Sequence, residues 1–432
     1  MSKRIAVRGE IVHFIGDPTQ IGERAFVHLD DGVLLIDSGI VVEAGPSSRL
    51  LPGLADDIEI VDRRGKLIVP GFIDTHVHFP QVDVIASHGE QLLDWLERFT
   101  FPVERGFDNV ERAAETADFF LDELLRNGTT TAGVYATVHP QSVEAFFNAS
   151  RARRMRMATG KVLMDRNCPE YLQDTAQSGY DDSTALIRRW HGVDRLVYAV
   201  TPRFAPTSTD AQLASAARLL DEHPGVLLQS HVAENRGEIE WVAKLYPWSR
   251  SYLDVYEHFG LVRDVSVFAH CIHLDDVDRR MMADRGAKMS FCATSNLFLG
   301  SGLFDLARAN ASKVDVGIGT DVGGGTSLSM LKTLAESYKV AHLLGHAMSA
   351  RQAFHLATLG GARALSLDGK IGSFEAGKEA DFVVLDPDAT AIQKRRNATA
   401  TNIDERLFAL MMLGDDRSVY ETWVMGECAW VR

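Results

Sequence analysis

The chain has 432 residues, 46% of them hydrophobic and 24% charged, ordinary globular values for one large domain with an appendage or for two or three domains. Lys plus Arg number 45 against 59 Asp plus Glu, a formal net charge of −14. This balance argues against a nucleic-acid polymer or an anionic membrane as partner, since both need a basic footprint, but leaves a free nucleobase open because it carries no phosphate. The cysteines, Cys168, Cys271, Cys292 and Cys428, form no C-x-x-C pair and suggest no disulfide framework. The first ten residues hold no uninterrupted apolar stretch of secretory type, and no run reaches transmembrane length. The expected location is cytoplasmic.

Residues 1–68 read as short strands with turns: Arg4–Phe14, Ala25–Leu29, Gly32–Asp37, Ile40–Ala44 and Ile58–Val61 are β-rich. Asp30-Asp31-Gly32 and Asp62-Arg63-Arg64-Gly65 supply turn chemistry. The apolar run Leu67-Ile68-Val69 then leads into Pro70-Gly71-Phe72-Ile73-Asp74-Thr75-His76-Val77-His78, read as a strand ending in two histidines. Residues i and i+2 of a strand share a face, so His76 and His78 can aim two imidazoles at one point. Two neutral nitrogens in one pocket suit a metal, although H-x-H alone also fits two unrelated strand histidines.

From here helices and short apolar strands alternate. Strands are expected at Thr129–Ala136, Ala158–Met164, Leu196–Thr201, Val226–His231, Val265–His270, Ala287–Cys292 and Val314–Thr320. Helices are expected between them, among them Asp108–Asn127, stopped by Gly128, and Thr209–Glu222, capped by Thr209. Helices Leu328–Leu344 and Ala350–Ala364 follow. With the H-x-H strand this makes eight nearly continuous apolar strands, each followed by helix, which fits an α/β chain folded as a (β/α)8 TIM barrel over residues 69–368. A doubly wound open sheet is the alternative, but it would spread the polar strand ends along an edge. Residues 369–432 return to β, with strands at Gly372–Phe374, Asp381–Leu385, Val419–Met425 and Ala429–Val431 and a helix at Asn402–Met412. Residues 1–68 and 369–432 are therefore expected to meet in a small β-sandwich domain beside the barrel.

Active-site groups of such barrels sit at the C-terminal ends of the strands. Strand one ends in His76 and His78, and strand four runs into Arg203-Phe204. Strand five ends at His231 with Glu234 three residues on; strand six ends at His270, and strand eight at Gly319-Thr320-Asp321. Singly, His231 reads as a strand-end histidine, Asp321 as a cap and Glu234 as a solvated acid. Together they would need to coincide at one barrel mouth by chance.

The motifs P-G-F-I-D-T-H-V-H, S-H-x-x-E-N, A-H and G-T-D resemble the amidohydrolase superfamily over nearly the whole chain. His78-Phe79-Pro80-Gln81, the segment Glu90–Pro102 and Arg203-Phe204 are similar to the branch that deaminates guanine. The resemblance implies one Zn2+ per chain, with iron possible, bound by His76, His78, His231 and Asp321. It implies a zinc-activated hydroxide attacking C2 of guanine to give xanthine and ammonia, a hydrolysis of a C–N bond in a cyclic amidine. Asp321 would touch metal and water and take up the proton. Glu234 would shuttle it to a ring nitrogen and the leaving amine, and His270 would hydrogen-bond the attacking oxygen. The implied substrate contacts are His78, His231, Asp321, Gln81, Arg203 and Phe204. Arg203 matches the adjacent acceptors O6 and N7 as a bidentate fork, although an arginine more often makes a surface ion pair. Gln81 offers a donor and an acceptor to another ring edge, and Phe204 could stack on the base or simply join the core. Leu92, Leu93, Trp95, Leu96 and Phe99 form a helical stripe that fits the mouth, a subunit contact or the core.

Two-metal relatives place a bridging lysine near strand four, where this chain has Arg203; Lys161 is the rival, and its structural reading is preferred. His139 and His273 are read as structural. His88-Gly89-Glu90 matches half of another deaminase signature, whose C-x-x-C is missing. The rivals to this reading are a related enzyme acting on another aminopurine, a pterin or a triazine-like heterocycle, and a non-catalytic scaffold on the same barrel. The family implies a homodimer, with no nucleic-acid or membrane partner.

Overall fold

The structure is a computed structural model that describes residues 4–88 and 91–432. Its strands are β1 Arg4–Phe14, β2 Phe26–Asp37, β3 Ile40–Pro46, β4 Glu59–Pro70, β5 Phe72–His78, β6 Thr129–Tyr135, β7 Arg156–Gly160 and β8 Val162–Leu163. They continue as β9 Val197–Pro202, β10 Leu227–Val232, β11 Ser266–His270, β12 Lys288–Phe291, β13 Val316–Ile318, β14 Phe382–Leu385, β15 Val419–Val424 and β16 Glu427–Val431.

Both chain ends meet in one seven-stranded sheet of order β16-β15-β14-β4-β1-β2-β3. Its pairs are antiparallel except β1 with β4, which run parallel. The period of two decides what each face covers. Leu67, Val69, Val383 and Leu385 join the main core shared with the barrel. Their neighbours Ile68, Phe382 and Val384 turn the other way and form a second apolar cluster with Ile5, Val7, Leu34 and Phe374.

The other sheet is the barrel. Its eight main strands follow in the order β5, β6, β7, β9, β10, β11, β12, β13, with β8 paired to β9 off this path. All these pairings are parallel. Strict sequential order separates this fold from a doubly wound sheet, in which the order reverses. Helices cover the outside. In Val110–Arg126, capped by the Asn109 side chain on the Arg112 N–H, Ala113, Ala117, Phe120, Leu121 and Leu124 give one buried face at helical spacing. No described helix is long and apolar enough to cross a membrane.

Several expected boundaries move. Ala25–Leu29 and Gly32–Asp37 are one strand, β2, and the Asp30-Asp31-Gly32 signal produces a bulge opposite Glu10 rather than a turn. The Leu67-Ile68-Val69 run does not lead into the barrel; it pairs with β1 and β14, and the chain changes sheet at Gly71. Gly372–Phe374 is not a strand: Gly372 sits at φ +85°, outside extended backbone. Ala350–Ala364 is two helices, Ala350–Leu356 and Leu359–Ala364, and Ala158–Met164 is interrupted at Lys161. Gly89 and Glu90, part of two of the sequence signals, lie outside the described residues.

His13 on β1 is buried, and its Nδ1 accepts the Phe374 N–H at 3.4 Å. Burial pushes the imidazole down from 6.5 to about 4, so the folded chain holds it neutral where the unfolded chain protonates it. That contribution to stability is complete above pH 6.5 and is lost as pH falls toward 4. His13→Asn keeps an acceptor but cannot titrate. It is expected to reduce the pH dependence of the urea unfolding free energy in this window by up to about 1.4 kcal/mol per pH unit. An unchanged slope would contradict the assignment.

Candidate active site

The barrel closes where β5 meets the chain just beyond β13. The Asp321 N–H donates to the His76 carbonyl at 2.8 Å, and the His78 N–H donates to the Val322 carbonyl at 2.8 Å. Asp74, fully buried on the same strand face as His76 and His78, completes the seam. Its Oδ1 accepts the Thr320 N–H at 3.0 Å and the His76 N–H at 3.2 Å, and its Oδ2 accepts the Thr320 hydroxyl. Burial pushes the Asp74 carboxyl up to about 6, against these three hydrogen bonds. Gly319 fits here because a Cβ on it would come within 2.9 Å of His76 Cβ and 2.6 Å of Ser290 Oγ.

Five side chains converge above this seam. His76 Nε2 and His78 Nε2 lie 3.2 and 3.3 Å from Asp321 Oδ1 and 3.3 Å from each other. His231 Nε2 lies 3.3 Å from His78 Nε2, and His270 Nε2 lies 3.7 Å from Asp321 Oδ2. His270 and Asp321 reach their places with left-handed backbone, φ +70° and +51°. Such non-glycine conformations cost about 1–3 kcal/mol each and are held only where the surroundings determine them. Here the Cys271 N–H on the Val232 carbonyl and the Asp321 N–H on His76 do so.

The donor set fits a cation. His231 Nδ1 is 2.6 Å from the Arg203 carbonyl, which only a ring N–H can satisfy, so its Nε2 carries a lone pair toward the other imidazoles. Burial lowers His76, pushes His78 down to about 4 and drives His231 well below its ordinary value, keeping all three in the neutral ligating form. Lone pairs of His76, His231, His270 and the Asp321 carboxylate lie within 4.8 Å of one another, and His78 joins them by the contacts above. Three imidazoles and a carboxylate suit zinc or iron. Tyr135 packs the three rings in place, its centroid 4.8, 4.5 and 4.8 Å from those of His76, His78 and His231.

A cavity opens beside this centre, lined by His78, Gln81, Arg203, Phe204, His231, Glu234, His270 and Asp321. Every site residue singled out in the sequence therefore reaches one place, with His76 beneath the others. Glu234 is buried; its Oε1 accepts the Ser301 hydroxyl at 2.8 Å, and its Oε2 lies 3.3 Å from His270 Nε2. Burial and then the Asp321 charge push its carboxyl up to about 8, which favours its protonated form. His270 Nδ1 donates to Asn296 Oδ1 at 2.8 Å, leaving its Nε2 toward Glu234 and Asp321. Leu92, Trp95 and Leu96 wall the cavity with Leu299, so the helical stripe packs over the mouth. Phe204 also lines it, edge-on to Trp241 at 6.1 Å.

Arg203 is not the free fork that the sequence suggested. Its two terminal nitrogens donate to Glu104 Oε2 and Oε1 at 2.8 and 3.1 Å, both partners being buried. Gln81 Nε2 donates to the same Glu104 Oε1 at 2.9 Å. Lys161 is buried and pairs with Asp174 at 2.5 Å. Asp74, Glu104, Asn296 and Ser301 were missed. Asp74 could have been found, since it precedes the two histidines on their own strand face. Asn296 and Ser301 follow strand seven, whose end carries no charged or imidazole residue to draw notice.

The chain matches the Amidohydrolase family model over residues 67–429. It is 50% identical over 430 residues to a guanine deaminase of Escherichia coli (strain K12), spanning 99% of this chain and 98% of the relative. Among solved structures it is similar to an E. coli guanine deaminase at TM-score 0.96 and 49% identity, covering 99% of both chains. It is also similar to a guanine deaminase from C. acetobutylicum with guanine bound in the active site, at TM-score 0.90 and 28% identity, covering 99% of this chain and 100% of that one.

Asp74→Ala is expected to lower stability by about 2–5 kcal/mol, since it orphans buried donors on Thr320 and His76. It should also lower metal retained per chain after desalting. A variant that unfolds at the wild-type urea concentration with full metal content would show that Asp74 does not hold the seam.

Proposed function

The chain belongs to the amidohydrolase family, and we propose that it deaminates guanine, taking guanine and water to xanthine and ammonia. The reading is supported by full-length similarity to guanine deaminases and is carried by one observation. A buried carboxyl, Glu234, and the guanidinium of Arg203 line the same cavity as the imidazole–carboxylate centre. A base without phosphate also suits the net charge of −14.

The reaction breaks the C2–N bond to the amino group and forms a C2–O bond. His76, His78, His231 and Asp321 would hold a zinc ion, with iron as the alternative, which would supply the Lewis acidity that makes water nucleophilic near neutral pH. Asp321 takes the proton that the water loses. Glu234 delivers its proton to the ring nitrogen beside C2, so electrons can move from the attacked carbon onto that nitrogen. As the C2 hydroxyl becomes a carbonyl its proton passes to Glu234, which gives it to the departing amine; ammonia leaves, and the proton held by Asp321 returns to Glu234. Ser301 fixes one Glu234 oxygen while His270, oriented by Asn296, faces the other and hydrogen-bonds the oxygen arriving at C2. Arg203 and Gln81 orient the purine through its O6 and N7 edge, Phe204 packs against its face, and the apolar wall of Leu92, Trp95 and Leu96 excludes water. Family resemblance extends the reading to a homodimer in the cytoplasm.

The deciding experiment offers guanine, adenine, cytosine and 8-oxoguanine to the metal-loaded protein and measures ammonia. Turnover of guanine is expected; none, alongside brisk turnover of another base, ends the guanine reading. Glu234→Gln should lower kcat about 10²–10⁴-fold at unchanged metal content, the usual range for a lost proton-transfer group. Arg203→Ala should raise KM for guanine steeply with metal content unchanged; equal KM would remove Arg203 from substrate binding.

A further inference from the structure

Glu104 lies at the end of the helix Phe101–Glu104, in the segment between β5 and the first outer helix, and is 1% exposed. A carboxylate buried this deeply is costly unless every contact is used, and here it is. Oε2 takes one terminal nitrogen of Arg203; Oε1 takes the other together with Gln81 Nε2. Phe101, from the same short helix, lies under the guanidinium, with Arg203 Cζ 5.3 Å from the ring centroid. On its other side the Gln81 amide is fixed by its Oε1, which accepts the Gly323 N–H at 3.3 Å. With its oxygen facing a donor and its nitrogen facing a carboxylate, Gln81 has one orientation only.

These contacts determine what the cavity offers a ligand. Arg203 has five N–H groups and no acceptor, and Glu104 uses two of them. The three that remain are held in one plane at a fixed angle. Gln81 keeps one N–H of its amide nitrogen, locked as a donor. Glu104 also cancels the Arg203 charge, so the cavity has no reason to prefer an anion. A neutral ring edge made of acceptors fits this wall. An edge carrying an exocyclic amino group meets donors with donors and leaves them unpaired.

We infer that Glu104 is the specificity-determining positioning residue, which selects a 6-oxo purine over a 6-amino purine by locking Arg203 and Gln81 as donors. The inference rests on the guanine reading and deepens it. Glu104 touches no reacting atom and acts through its two partners.

The test compares guanine with 2,6-diaminopurine, which keeps the 2-amino group but replaces the 6-oxo acceptor by a donor. Ammonia release and base identity are measured for wild type, Glu104→Gln and Glu104→Asp, with metal per chain and thermal midpoint determined alongside. Wild type is expected to turn over guanine and discriminate strongly against 2,6-diaminopurine. In Glu104→Gln the neutral amide holds the Gln81 nitrogen less tightly, and only the Gly323 N–H still opposes a turn of the Gln81 oxygen toward the ligand. KM for guanine is expected to rise more than kcat falls, and the ratio of the two kcat/KM values should collapse at least about 10-fold, within the range by which hydrogen-bonding sites reject analogues. Glu104→Asp keeps the charge but shortens the reach, and should move the ratio the same way with metal content intact, which covers the case in which the amide variant folds poorly. In a background carrying both Arg203→Ala and Gln81→Ala, Glu104→Gln should change guanine KM less than about 3-fold, since coupled residues are not additive. Activity that falls on both bases in proportion, or a full effect without both Arg203 and Gln81, overturns the inference. Wild type that deaminates no guanine overturns the underlying reading instead, so the two failures are distinguishable.

Discussion

The seam between β5 and the end of β13 is the constraint on which the site depends. A parallel barrel is complete only when its first and last strands satisfy each other's backbone groups, and a buried unpaired group there is costly. In this chain the closing hydrogen bonds are made by the residues that carry the chemistry. The N–H of Asp321 is held by the carbonyl of His76, so the carboxylate and the imidazole are set by one short contact between chain segments 245 positions apart. Asp74 adds two further bonds across the seam, both from Thr320, and Gly319 supplies the space. The fold is therefore closed and the centre assembled by the same few contacts, so changes at the seam alter both together.

The two halves of the cavity are built on opposite electrostatic plans. The metal half consists of imidazoles that burial keeps neutral and one carboxylate, an arrangement that presents lone pairs. The purine half presents N–H groups, held by a buried ion pair. Such a pair is weak evidence for stability, because removing two charges from water offsets most of their attraction. A hydrophobic pair of the same volume would pack as well, yet would offer a polar base nothing. The Arg203–Glu104 pair is explained by the geometry it fixes rather than by the energy it adds. Glu234 stands between the halves, where two separate neighbours, Ser301 and His270, hold its two oxygens.

Much of this was legible in the sequence, and the reason is periodicity. Eight short apolar runs alternating with helices determine a barrel, and a barrel gathers every strand end at one mouth. His76, His78, His231, Glu234, His270 and Asp321 are placed together by the sequence pattern because each stands at or just past such an end. The less legible parts depend on contacts that have no local pattern. Asp30-Asp31-Gly32 has the composition of a turn, but pairing with β1 makes it a bulge in a continuous strand. The run Leu67-Ile68-Val69 is equally apolar for either sheet, and only the partners β1 and β14 decide which it joins. Glu104 is an ordinary acid two residues beyond a proline until Arg203 and Gln81 arrive beside it from other parts of the chain.

That contrast also separates what is general in the site from what is particular. Residues at strand ends are placed by the barrel itself, and their geometry is as rigid as the sheet that carries them. Glu104, Phe101 and the wall of Leu92, Trp95 and Leu96 belong to one excursion of the chain between β5 and the first long helix, a segment that the barrel does not require. Hydrolytic chemistry needs the first set in fixed relation to within fractions of an ångström, so it sits on strands. Choice of base needs only that the donors facing the ring be held in the right sense, and an acid in a short helix can do that while the strands stay unchanged. A different acid position or an amide in this excursion alters which ring edge is satisfied without moving a single histidine.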